Sequence, residues 1–194
     1  MKTKRLLAGC LALSSLLAAA QSRPATSEQQ QAMAAYAAAG ALNENHEFLQ
    51  KFAGEWEMKT TAWMAPGAPP VESRSTCRAE TILGGRFLLL RFVGQMFGQP
   101  FEGWQIVGYD NLQKKYIAFW IDGTATAFFL TSGVRADSVI EDVGLWPDPL
   151  TGGQQKVRDR LALVGPDEFT YEMYMGLPGG KEFKSLENRC TRKK

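Results

Sequence analysis

In Phe101-Glu-Gly-Trp-Gln-Ile-Val-Gly-Tyr-Asp-Asn-Leu-Gln-Lys-Lys-Tyr-Ile-Ala-Phe-Trp-Ile-Asp122, two aromatic-rich runs flank a polar turn. Asp110 and Asn111 favour that turn because their short side chains can bond nearby backbone N–H groups, so the stretch predicts a β-hairpin. Both faces of each run carry large apolar side chains, whereas a sheet with one face in water needs them on one face only. The hairpin therefore predicts part of the wall of a closed or nearly closed barrel.

Similar runs recur along the chain and are separated by Gly- and Pro-containing turns about every 8–12 residues. The hairpin contributes two strands, and the others are predicted at 55–64, 71–83, 86–93, 127–131, 139–145, 156–164, 169–175 and 181–191. Ser132-Gly133 is interpreted as the turn that ends strand 127–131. About ten strands in all predict an all-β, antiparallel up-and-down barrel, because closure removes the exposed edges of an open sheet.

Residues 1–20 resemble a secretory signal peptide, with a basic start, an apolar run and small residues at the end. We predict cleavage after Ala20 and a periplasmic or secreted protein. Leu7-Ala-Gly-Cys10 also spells a lipoprotein motif, and a lipid on Cys10 would instead tether the protein to a membrane. The mature form is predicted to have no apolar segment of the roughly 20 residues that a membrane span needs.

The segment that follows the signal peptide predicts two helices. Residues 21–42 form an Ala- and Gln-rich leader that is partly helical, with Ser27 as a candidate N-cap. Asn45 can cap a second short helix, whose apolar stripe consists of Phe48, Leu49 and Phe52. We expect this helix to plug one end of the barrel domain, which spans residues 43–194.

Composition and charge restrict the function. A chain of 194 residues with 45% hydrophobic composition can form one core and is short for two. The net charge is +2, and loss of three basic residues with the signal peptide leaves 22 − 3 = 19 basic against 20 acidic residues, so no nucleic-acid surface is predicted. His46 is the only histidine, which excludes a His-cluster zinc site, and its predicted role is to bond a turn at a helix start. No cofactor or metal motif is present.

An ordered set of motifs runs from about residue 43 to the C-terminus. It comprises His46-x-x-Leu49, Phe52-x-Gly54-x-Trp56, Leu83-Gly-Gly-Arg86-Phe87, Phe101-Glu-Gly103, Gly108-Tyr-Asp110, Lys115-Tyr116, Trp120-x-Asp122, Asp148-Pro149 and Glu182-Phe-Lys184. This set resembles the DUF1579 family of bacterial proteins of unknown function. The resemblance implies a barrel related to the calycins, which include lipocalins, fatty-acid-binding proteins and nitrobindin-like haem barrels, and it implies no established activity.

The resemblance also implies a seal at one end of the barrel. In calycin-like barrels, a Trp that follows a Gly at the start of the first strand packs beneath an Arg from the last strand. Gly54 and Trp56 match the first half of that pair, and Arg189 or Arg192 is the candidate partner. A guanidinium over an indole contributes roughly 0.5–2 kcal/mol. The alternative is a core Trp and two surface arginines.

Two cysteines remain if Cys10 leaves with the signal peptide. Cys77 and Cys190 would then lie in an oxidising compartment, where a disulfide can persist. Two separate buried thiols are the alternative, and strand order decides between them because a Cα separation beyond about 7 Å forbids a disulfide.

The candidate ligand-binding residues are aromatic, apolar or charged side chains on the predicted strands and loops. The wall candidates are Trp63, Phe87, Trp104, Tyr116, Phe119, Trp120, Phe128 and Met173. The polar candidates are Asp122, Arg158 and Glu172, because charges that point inward would have to be paired and could anchor a polar group of a ligand. The alternative for Arg158, Arg160 and Glu172 is that strand alternation places them in water.

These observations predict an exported barrel that binds a small hydrophobic or amphipathic molecule inside. One alternative is a small barrel enzyme acting on a lipophilic substrate, with Asp122 and Glu172 as acid and base. Another is a structural periplasmic barrel whose interior is filled by its own aromatic side chains. We expect no cofactor, and the sequence does not predict an oligomeric state.

Overall fold

The computed structural model describes residues 26–96, 98–149 and 151–194. The signal peptide, Cys10 and the start of the leader lie outside the described residues. The helices are α1 (Ser27–Ala39) and α2 (Glu44–Gln50). The strands are β1 (Gly54–Ala62), β2 (Val71–Ile82), β3 (Phe87–Met96), β4 (Gln99–Asp110), β5 (Lys115–Asp122), β6 (Phe129–Ala136), β7 (Val139–Pro147), β8 (Gln154–Gly165), β9 (Glu168–Gly176) and β10 (Glu182–Arg192).

The ten strands form a closed antiparallel barrel in which each strand pairs with its neighbours in the sequence, and β1 pairs with β10. The predicted fold class is confirmed. The hairpin of β4 and β5 runs from the pair Gly103 and Asp122 to the pair Asp110 and Lys115. The Asp110 carboxylate closes its turn as expected, accepting hydrogen bonds from the backbone N–H groups of Leu112 and Gln113.

The turn predicted at Ser132-Gly133 is wrong, because β6 continues through it to Ala136. Gly133 lies opposite Asp142 on β7, and a Cβ there would collide with the Glu141 carbonyl oxygen. The glycine permits close approach of two strands rather than a turn. The helix caps are each displaced from their predicted residues, since Thr26 rather than Ser27 caps α1, and Asn43 rather than Asn45 caps α2.

Helix α2 closes one end of the barrel, as predicted. Phe48 and Leu49 on its buried face, and Phe52 in the turn that follows it, belong to the main apolar core. The Phe52 ring packs edge-on against Phe169 with 5.4 Å between centroids. These apolar contacts fix the helix over this end of the barrel, which we call the closed end.

Polar contacts orient the same helix. Tyr116 Oη donates to Asn45 Oδ1 over 3.0 Å, and Arg135 Nε donates to that hydroxyl over 3.1 Å. His46 is buried, and its Nδ1 accepts the Asn43 backbone N–H at 3.1 Å, which is the predicted turn contact. Burial lowers the pKa of His46. The histidine therefore belongs to the plug rather than to the barrel interior.

Arg192 makes the seal that the family resemblance implies. Its guanidinium lies 4.1 Å from the ring centroid of the fully buried Trp56, and it donates to the carbonyl oxygens of Ala53 and Lys51. Gly54 has a φ of 142°, and a Cβ there would collide with the Arg192 guanidinium. The other candidate, Arg189, is wrong for this role, because its exposed side chain pairs with acidic residues on the outer surface.

Cys77 and Cys190 are buried free thiols. They lie on the two strands that flank β1, opposite Trp56 and Met58 respectively. Two strand spacings amount to about 10 Å, beyond the roughly 7 Å that a disulfide spans. The structure therefore has two separate thiols rather than a disulfide.

None of the helices in the described part of the chain is long and apolar enough to cross a membrane.

Candidate ligand-binding cavity

The barrel contains a cavity of about 930 Å³. It extends from Phe169 near the closed end to Trp63 and Met96, which mark the opposite end of the barrel, here called the mouth. Its volume lies at the upper end of the range for small-molecule sites, which is about 300–1,000 Å³. The interior is therefore not filled by its own side chains, which contradicts the structural alternative.

Aromatic rings form much of the wall. Trp120 packs between Phe92, at a centroid distance of 5.5 Å, and Phe101, at 6.3 Å with nearly parallel planes. The Trp120 indole N–H donates to Asp122 Oδ2 over 2.7 Å, which fixes the ring. Small residues permit this arrangement, because a Cβ on Gly103 would meet the Trp120 ring. Trp120 thus presents an apolar ring to the cavity, with its own N–H already satisfied.

Four of the predicted ligand-binding residues line the cavity, namely Trp63, Trp120, Asp122 and Met173. Asp122 lies near the mouth, where Thr124 donates to Oδ1 through both its backbone N–H and its hydroxyl. Burial alone would raise the pKa of Asp122, but hydrogen bonds from Thr124 and Trp120 hold it below its ordinary value. Asp122 is therefore an ionised residue whose hydrogen bonds are made within the protein.

The other aromatic wall candidates do not line the cavity, and the predicted interior placement is wrong for all of them except Tyr116. Trp104 lies on the outer face beneath Arg91, 5.4 Å from the guanidinium carbon. Phe119 and Phe128 contact each other away from the cavity, and Phe87 lies over Gly108. Tyr116 points inward but contacts the plug. Each outward residue has the opposite strand parity to its cavity-lining neighbours, so alternation explains its position.

Arg158 and Glu172 are also outside, and the prediction that they anchor a ligand is wrong. Arg158 Nε donates to Glu182 at 2.9 Å, and Glu172 accepts from Lys184 at 2.7 Å. Arg160 also pairs with Glu172. These residues form outer-surface ion pairs because the alternate positions on β8 and β9 line the cavity. Glu172 and Asp122 are therefore separated by the barrel wall and cannot act as an acid–base pair.

The polar site that the sequence analysis missed is a pair of buried carboxyl groups. Asp142 on β7 lies directly opposite Asp159 on β8, and the two side chains are only 7% and 4% exposed. Asp159 lines the cavity. The signal for this placement is strand parity, since Asp159 alternates with the apolar Val157 and Leu161, whereas Arg158 and Arg160 share the other face. We call Asp142 and Asp159 the carboxyl pair.

Burial raises the pKa of both carboxyl groups, to about 6 for Asp142 and about 8 for Asp159. The Asp142 charge raises the Asp159 pKa further, while the Tyr171 hydroxyl, which hydrogen-bonds Asp159, and the outward Arg158 lower it. For Asp142, a hydrogen bond from Thr131 opposes burial, and the outward Glu141 reinforces it. Near neutral pH the pair therefore holds about one proton and one negative charge.

Several polar atoms around the cavity have no hydrogen-bond partner within the protein. Among the described residues these include Asp159 Oδ1, Ser75 Oγ and Trp146 Nε1, all on residues that line the cavity, and Asp142 Oδ1 behind them. Buried polar groups are normally paired, because an unmade hydrogen bond costs about 1–3 kcal/mol. The three atoms on the lining residues are thus available to a molecule inside the barrel.

Comparison with solved structures shows the same barrel architecture in proteins of low sequence identity. Rv2717c from M. tuberculosis aligns with a TM-score of 0.57 and 15% identity, over 79% of this chain and all of the other. The S-type phycobiliprotein lyase CPES from Guillardia theta aligns with a TM-score of 0.55 and 11% identity, over 77% and 93% of the two chains. No curated protein matches the sequence.

The fold and the site define a class: a closed ten-stranded antiparallel barrel with one plugged end and an internal cavity. Within that class, the chain belongs to the DUF1579 family, described as a protein of unknown function, whose profile matches residues 42–192. The family that the ordered motifs indicated is thereby confirmed.

Proposed function

We propose that this protein is an exported carrier that binds a small hydrophobic or amphipathic molecule inside its barrel. The observation that carries the proposal is the cavity of about 930 Å³, with its aromatic wall and its unpartnered polar atoms. Small-molecule sites combine a mostly apolar lining with a few polar groups that orient the ligand. The ligand would enter at the mouth, since α2 and the Trp56–Arg192 contact close the other end.

The N-terminal sequence supports export, with cleavage after Ala20 as our proposal and lipidation at Cys10 as the alternative. Mass measurement of the protein purified from its own host distinguishes them. A mature chain that begins at Gln21 supports cleavage, and a chain that begins with a lipid-modified Cys10 supports the tether. A chain that retains Met1 would contradict both.

Binding can be tested with the neutral fluorescent probe N-phenyl-1-naphthylamine. Thr60 lines the cavity, whereas its strand neighbour Thr61 faces outward, so Thr60→Trp and Thr61→Trp form a matched pair. We expect Thr60→Trp to weaken probe binding by about tenfold or more, because the indole takes up cavity volume, while Thr61→Trp changes it by less than about twofold. Failure of the wild-type protein to bind the probe, or equal effects of the two variants, would contradict the proposal. Native mass spectrometry of the host-purified protein then gives the mass of any co-purifying ligand.

A further inference from the structure

The deep part of the cavity is acidic, and that acidity is not neutralised by a basic side chain. The charged residues on the cavity lining are Lys59, Glu72, Arg74, Asp122 and Asp159. The first three have exposed side chains, Lys59 pairs with Glu72 at 2.8 Å, and Asp122 is satisfied by Thr124 and Trp120. Asp159, which shares one negative charge with Asp142 beside it, is the ionisable group on the described part of the lining that is both deep and available.

The carboxyl pair carries a negative charge and has oxygen atoms that no group of the protein satisfies. The Tyr171 hydroxyl and Thr131 each satisfy part of one carboxyl group, yet Oδ1 of Asp142 and Oδ1 of Asp159 have no partner. Arg158 is adjacent to Asp159 in sequence but points to the outer surface, where Glu182 and Glu141 pair with it. A ligand group that donates a hydrogen bond and carries positive charge would satisfy the free oxygen of Asp159 and compensate the negative charge that the pair shares.

We propose that the carboxyl pair binds the ammonium or amidinium group of an amphipathic amine, whose apolar part lies against the aromatic wall of the cavity. This inference rests on the proposed function and specifies its ligand class. The geometry favours a cation because the two carboxyl groups are cross-strand neighbours, are more than nine-tenths buried and have free oxygens. The same feature discriminates against fatty acids, since a third carboxylate beside the pair would be repelled or would have to take up a proton.

Three ligands with the same chain and different heads test this selectivity: dodecylamine, dodecanol and dodecanoate, each displacing N-phenyl-1-naphthylamine at neutral pH. A charge-assisted hydrogen bond in a buried site contributes about 1.5–3 kcal/mol, so dodecylamine should bind about 10- to 100-fold more tightly than dodecanoate. Equal or tighter binding of dodecanoate would overturn the inference.

Substitution of the carboxyl pair is a second test of the same proposal. Asp159→Asn and Asp142→Asn retain the side-chain shape, and each should weaken dodecylamine binding by about tenfold while changing dodecanol binding by less than about threefold. Glu172→Gln is the control, because it removes a carboxylate from the outer surface of the same barrel. Unchanged amine affinity in both Asn variants would overturn the inference. Retained binding of the probe shows that a variant is folded.

The outcomes separate this inference from the proposed function. If the neutral probe and dodecanol bind but the amine has no preference, the carrier proposal stands and the amine class is wrong. If none of the probe and the three dodecyl ligands binds, the carrier proposal itself is wrong, and the inference fails with it.

Discussion

Replacing Asp159 with Asn should remove most of the pH dependence of stability between about pH 5 and about pH 8. In the folded protein, burial raises the pKa of Asp159 to about 8, whereas the ordinary value is 3.8. Between these values the folded state holds a proton that the unfolded chain has released. Stability of the wild type therefore falls as the pH rises through this window and levels off above about pH 8.

The magnitude follows from the same pKa values. Each pH unit at which one proton is held only by the folded state changes the unfolding free energy by about 1.4 kcal/mol. Over the three units from about pH 5 to about pH 8, Asp159 thus contributes a decrease of at most about 4 kcal/mol. Asp142, with a pKa of about 6, adds about 1 kcal/mol at the lower end of the window. We expect Asp159→Asn to retain this smaller slope, partly offset by His46, whose lowered pKa makes stability rise with pH until the unfolded chain has released its proton near 6.5.

Urea denaturation followed by circular dichroism at several pH values measures the effect. Asp159→Asn should also be more stable than the wild type at about pH 8, by about 2–4 kcal/mol, because the Asn amide has no charge to bury. Glu172→Gln is the control, since hydrogen bonds and ion pairs with Lys184 lower the pKa of Glu172 despite the opposing effect of burial, and its proton is lost below this window in both states. A wild-type slope that persists unchanged in Asp159→Asn would refute the assignment.

Three further changes test the seal, the close strand contact and the buried thiols. Arg192→Met should lower the unfolding free energy by about 2–3 kcal/mol, because it removes the contact with the indole and leaves carbonyl groups unpaired, whereas Arg189→Met should cost less than about 1 kcal/mol. Gly133→Ala should destabilise by more than about 2 kcal/mol, because its Cβ meets backbone, while Gly165→Ala, with open space around it, should be nearly neutral. Burial raises the pKa of Cys77 to about 12, so a thiol reagent should label it only at the rate of unfolding.

Urea denaturation of each matched pair checks the first two predictions, and equal losses within a pair would contradict the structural explanation. For the cysteines, the measurement is labelling by a chromogenic disulfide reagent with and without denaturant. Rapid labelling of the native protein would contradict the burial of these thiols.

The fold was predictable because its signals are local. The hairpin around Asp110 has turn chemistry and alternation that act over a few residues, and the apolar stripe of α2 indicates the plug without reference to the rest of the chain. The prediction of a turn failed where the same local sequence is compatible with two structures. Ser132-Gly133 has a typical turn composition, yet Gly133 is needed because β7 approaches so closely.

The site was less predictable, because whether a side chain faces the cavity or the solvent depends on the register of its strand. The run Val157-Arg-Asp-Arg-Leu161 has charge on both parities, and two arginines outweigh one aspartate if charge alone is counted. The apolar residues Val157 and Leu161 correctly indicate which strand face points inward. Asp159 lies on the same face and therefore also points inward. Phe87 has the outward parity of its strand, since the buried residues Leu88, Leu90 and Phe92 share the inward parity, and its ring covers Gly108 on the neighbouring strand.

Both ends of the folded domain lie on the same side of the barrel. The chain enters β1 beside the plug, and β10 finishes there, where Arg192 covers Trp56. The linker between α1 and α2 is also fixed there, through hydrogen bonds from Asn111 to the carbonyl oxygens of Ala39 and Ala41. An affinity tag or surface attachment at either end would therefore leave the mouth pointing toward solution, so immobilised protein can be screened against small molecules without obstructing their entry.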